Sequence, residues 1–113
     1  LAELTKQKRI EKEFDKLKKM YAELPTNKFN LLLPLIQNAS FMKVTLEELQ
    51  ATINAEGATD EYCNGANQFG RKQSANIQAY NSLVKNYNAV IDRLEKLLPA
   101  ESKKSKLSDF IDE

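Results

Sequence analysis

The chain has no histidine and no tryptophan, and only one cysteine, three glycines and three prolines in 113 residues. Without histidine it lacks the usual general base and the commonest metal ligand. Cys63 alone cannot close an internal disulfide, so nothing points to an oxidising compartment, and it reads as a small packed side chain. The glycines at 57, 65 and 70 have the wrong spacing for a phosphate loop and no following Gly-Lys-Ser/Thr. Asp60 and Glu61 lack the periodic carboxylates of a calcium loop. Glu47 and Glu48 are adjacent, so a helix points them about 100° apart and they cannot close on one bond as glycosidase carboxylates do. The expectation is therefore no enzyme, no catalytic residue, no metal and no cofactor.

Few turn residues also argue against a β-rich fold. The longest apolar run, residues 31–36, is broken by Pro34 and is too short to cross a bilayer. The opening residues mix acids and bases and carry no signal-peptide pattern. No membrane contact is expected, and the expected location is the cytoplasm.

The strongest feature present is helical periodicity. Ile77, Tyr80, Val84, Tyr87, Ile91, Leu94 and Leu98 recur three and four residues apart, one stripe on one helix face. Leu83, Val90 and Leu97 widen it. A face this broad suits burial in a bundle or between subunits, so the seven stripe residues are the candidate oligomerisation surface. Ser74 is placed to cap this helix and Pro99 to end it, a length of about 37 Å at 1.5 Å per residue. Asn81, Asn86 and Asn88 are weak helix formers, which leaves packing to hold it.

Upstream, Ile10, Phe14, Leu17, Tyr21 and Leu24 predict a first helix over about 3–24, stopped by Pro25. A second, bent helical region is predicted over 27–56, with Pro34 kinking or restarting it and Gly57 ending it. Thr45 with Glu48 three residues on reads as a capping box, which makes a break near 43–45 the alternative to the favoured single bent region. Residues 57–73 carry no helical period, and Asn64-Gly65 is a turn dipeptide, giving an irregular loop or a short hairpin.

The fold expected is all-α: a small bundle of three to four helices with a long C-terminal helix, oligomeric. Residues 1–98 form a single helical domain, and 99–113 a flexible tail.

Net charge is only +1, which disfavours a purely electrostatic nucleic-acid binder. It is a cancellation of segments: residues 1–28 are net +3, 43–62 net −4 and 63–98 net +3. Opposite signs on consecutive segments favour antiparallel packing or contacts between copies. Asn64, Asn67, Gln68, Arg71 and Lys72, with Tyr62 and Phe69 interleaved, are groups that reach phosphates and bases; the same cluster also fits a solubilising loop. Lys8, Arg9, Lys12 and Lys16 offer a second DNA-facing surface, or simply a solvated face.

Several stretches together resemble a known family. They are Leu35-Ile36-Gln37-Asn38-Ala39-Ser40-Phe41-Met42, Thr45-Leu46-Glu47-Glu48-Leu49, the segment 62–70, Ala79-Tyr80-Asn81, Lys85-Asn86-Tyr87-Asn88 and 94–99. Over residues 27–99 the chain resembles the P27-type phage terminase small subunits, carried by phages and prophages of Gram-positive bacteria. The resemblance implies a DNA-packaging adaptor that forms a homo-oligomer, binds double-stranded DNA at the packaging start and regulates the terminase large subunit. No helix-turn-helix with a basic recognition helix is present, so basic loops or the outside of an oligomer would meet DNA. Leu107, Phe110 and Ile111, set among Asp109, Asp112 and Glu113, resemble a docking motif for the large subunit. The alternative is a helical scaffold or regulator that binds only protein.

Overall fold

A computed structural model describes residues 5–57, 59–63 and 69–98. The order is α1 (Lys6–Met20), α2 (Thr26–Glu56), β1 (Thr59–Cys63), β2 (Phe69–Gln73) and α3 (Ala75–Lys96). There are three helices among the described residues, not four, and α2 is the longest, 31 residues against 22 for α3. The expectation of a long C-terminal helix is corrected accordingly. The hairpin alternative for 57–73 holds: β1 and β2 pair antiparallel with Cys63 opposite Phe69 and Thr59 opposite Gln73. The Asn64-Gly65 dipeptide lies outside the described residues.

α2 is one continuous helix, as the reading of a single helical region over 27–56 has it, and neither Pro34 nor the alternative break near 43–45 interrupts it. Pro34 sits inside it and removes one backbone donor. Thr45 does not cap a new helix; its Oγ1 is buried without a hydrogen-bond partner. The residues on either side of it, Val44 and Leu46, are both buried. An unbroken helix keeps both in place, and that packing outweighs the local capping signal.

α1 is shorter than its apolar pattern. Thr5 caps it, its hydroxyl accepting from the Lys8 N–H at 3.2 Å. Tyr21 leaves helical geometry and closes it, and the chain then turns through Leu24, whose N–H donates to the Tyr21 carbonyl. Gly57 ends α2 with φ 89° and ψ 176°. Ser74 caps α3 as expected, its buried hydroxyl accepting from the Ile77 N–H at 3.0 Å.

Interhelix contacts set the directions. Lys6 meets Glu48, Arg9 meets Glu47 and Glu13 meets Lys43, so α1 runs antiparallel to α2. The hairpin turns the chain back, and α3 returns along α2 to the end where α1 finishes. There the Tyr21 hydroxyl donates to the Leu94 carbonyl at 2.6 Å, tying together residues 73 apart in sequence. Leu17, Met20, Tyr21, Leu32, Ile36, Ala39, Leu94 and Leu98 form the core at that end. Full burial of a leucine or isoleucine stabilises by about 1.5–3 kcal/mol. Buried Ser40 is satisfied within α2, its hydroxyl donating to the Ile36 carbonyl at 2.8 Å.

Candidate interaction surfaces

The α3 stripe is covered unevenly by its own chain. Leu94 and Leu98 are 2% and 4% exposed and belong to the intrachain core. Tyr87 and Ile91 are half-buried and pack against that core. Ile77, Tyr80 and Val84, nearer the hairpin, are also half-buried. No residue of α3 before Leu94 is buried, and none of α2 after Leu46. Tight packing is thus concentrated where all three helices meet. Towards the hairpin the apolar side chains of α2 and α3 keep part of their surface in water.

The α1 cations divide into two groups. Arg9 is ion-paired to Glu47 at 2.8 Å, and Lys16 lies 3.6 Å from Glu13. Lys8 and Lys12 are exposed, with Glu11 and Asp15 exposed on the same helix. The α1 surface proposed for DNA is therefore of mixed sign, and two of its four cations face acids. On the hairpin, Arg71 stands opposite Glu61 and Lys72 opposite Asp60 in the backbone register. Directly opposed positions share a face of the ladder, so each cation has an acid as its register partner. Asn64, Asn67 and Gln68 lie outside the described residues, as do Leu107, Phe110 and Ile111.

What the periodicity did not single out is the ionic seam between α1 and α2. Lys6–Glu48 at 2.9 Å and Arg9–Glu47 are its exposed members, a type worth about 0–1 kcal/mol each. Glu13 is its inner node, only 16% exposed, with Lys43 at 3.2 Å and Lys16 at 3.6 Å. The signal was there in the net charge of the segments: a positive first segment lies against a negative one. Glu47 and Glu48, read alone, look solvated or capping; the fold uses them as partners for α1.

The two tyrosines in this region are strongly perturbed. Burial, with Glu95 adding to it, pushes the Tyr21 hydroxyl up to about 12. Burial, with Glu13 and then Glu47 adding to it, does the same for Tyr87. Both protons are held in the folded chain beyond the ordinary tyrosine value of 10. The neutral forms therefore stabilise the fold fully below about pH 10, and that contribution is lost as pH rises towards 12. Urea unfolding across pH 9–12 is expected to show this decline, and the double variant Tyr21→Phe with Tyr87→Phe to flatten it. An equally steep decline in the double variant counts against the assignment.

Among the described residues, no group of three or more His, Cys, Asp or Glu is placed to hold a metal ion, and no helix is long and apolar enough to cross a membrane. No protein-family description, curated protein or solved structure matches this chain.

Proposed function

We propose that the chain is a non-catalytic helical adaptor that self-associates and serves phage DNA packaging in the manner of a terminase small subunit. The observation that carries self-association is the incomplete cover on α3: Ile77, Tyr80 and Val84 stay half-buried while Leu94 and Leu98 are closed off. A second copy laid along that half would bury the remainder. The packaging role comes from the family resemblance, with the large subunit as the partner that the segment 107–111 would take.

Native mass measurement with light scattering on the full chain tests the association. A defined oligomer at micromolar concentration is the expected result; a clean monomer at several hundred micromolar would overturn it. Double-stranded DNA is the proposed ligand, reached by Lys8, Lys12, Arg71 and Lys72. A mobility-shift titration is expected to show binding that weakens with salt and disappears when these four are neutralised.

One observation favours a second reading, a scaffold that binds only protein. Arg9 and Lys16 face acids already, and the hairpin cations have acids as register partners. An absence of binding to any duplex at low salt selects this reading.

A further inference from the structure

A basic stripe on α1 runs along the edge of its seam with α2. Arg9, Lys12, Lys16 and Lys19 recur three, four and three residues apart, so they line one face of the helix. They span about 15 Å at 1.5 Å per residue, an axial length over which one strand of a duplex presents about four phosphates. Lys12 and Lys19 are exposed. Asp15, three residues after Lys12 and four before Lys19, borders the stripe and is exposed as well. The other two cations are held by carboxylates, Arg9 by Glu47 of α2 at 2.8 Å and Lys16 by Glu13 at 3.6 Å.

Neither carboxylate depends on the stripe cation it holds. The Glu47 side chain is 48% exposed, so water takes over when Arg9 leaves. An exposed pair of this kind contributes little to stability. Glu13 is more enclosed, yet the same Oε2 lies closer to Lys43, at 3.2 Å. Lys43 therefore keeps Glu13 neutralised when Lys16 turns away. Both cations can exchange a carboxylate for a phosphate while the seam stays closed. Lys6 is placed differently. It is paired with Glu48 at 2.9 Å and also lies 4.8 Å from the centre of the Phe41 ring, so two groups of α2 retain it.

We infer that Arg9, Lys12, Lys16 and Lys19 track the phosphates of duplex DNA, and that Glu47 is a built-in competitor that covers Arg9 until a phosphate displaces it. A duplex presents enough phosphates to outcompete one carboxylate; a lone anion does not. The inference rests on the reading of double-stranded DNA as the ligand, and adds to it a means by which the fold restrains binding.

Fluorescence anisotropy of the full chain with a labelled duplex of mixed sequence, across about 50–200 mM salt, tests it. Glu47→Gln and Glu48→Gln alter net charge identically and sit side by side, but only Glu47 holds a stripe residue. Glu47→Gln is expected to tighten binding about fivefold and to steepen the dependence of log K on log salt by about one, the mark of one more phosphate contact. Glu48→Gln should change affinity by less than about twofold. Arg9→Gln added to Glu47→Gln should abolish both the gain and the extra slope. Lys12→Gln with Lys19→Gln should weaken the parent about tenfold. Helical circular dichroism should be retained throughout, because no substituted side chain is buried. Equal tightening by Glu47→Gln and Glu48→Gln overturns the inference, since net charge alone would then explain it. A parent that binds but does not respond to Glu47→Gln also overturns it, and leaves the DNA reading standing. Absence of duplex binding by both the parent and Glu47→Gln at low salt overturns the two together.

Discussion

Leu94→Ala is expected to cost about 2–5 kcal/mol of unfolding free energy. Leu94 is almost fully buried among residues of all three helices. Truncation leaves a cavity bordered by α1 and α2, and it loosens the α3 turn whose carbonyl accepts from Tyr21. Domains of this size have about 5–15 kcal/mol in total, so the variant would forfeit a substantial share of its stability. Urea denaturation followed by circular dichroism reads the change. Leu31→Ala, at a position mostly in water, is the comparison and should stay within about 0.5 kcal/mol of the parent. A loss below 1 kcal/mol for Leu94→Ala would mean that the three helices do not close over it.

Gly57→Ala is the second large effect, by a different mechanism. Gly57 holds φ 89° and ψ 176°, a region open almost only to glycine. A methyl group there would meet nothing within 4 Å. The penalty is therefore conformational, of order 1–3 kcal/mol, with no steric clash to relieve. D-Alanine at the same position, introduced by chemical ligation, is expected to recover most of the loss because its preferred backbone is the mirror image. If the L and D forms prove equally stable, the α2 terminus is not held in this conformation.

These two positions differ in how legible they were. Gly57 and Ser74 could be read from the sequence because a helix stop and a cap depend on a few neighbouring residues. The Thr45 box obeyed the same local rule and failed, because Val44 and Leu46 are needed in the core on both sides of it. The stripe was correct as a helix face from Ile77 to Leu94, with Leu98 just past the end of α3, yet periodicity cannot say where along a face the cover lies. Leu94 and Leu98 are sealed because α1 ends there and Tyr21 reaches across, a contact spanning 73 residues. The same limit applied to Arg9: a charge count sees it as available, and only the crossing of α1 over α2 gives it Glu47, whereas the Lys16–Glu13 pair lies within α1 at i,i+3 spacing and is legible in the sequence.

The lopsided core also sets how the molecule breathes. Opening the stretch of α2 and α3 next to the hairpin exposes side chains none of which is fully buried, so it forfeits less hydrophobic stabilisation than opening the other end. Opening the end around Ile36 and Leu94 amounts to global unfolding. Thermal fluctuation is therefore partitioned along the long axis, with one end behaving as a fixed root and the other as a compliant limb able to change its tilt without disturbing the root.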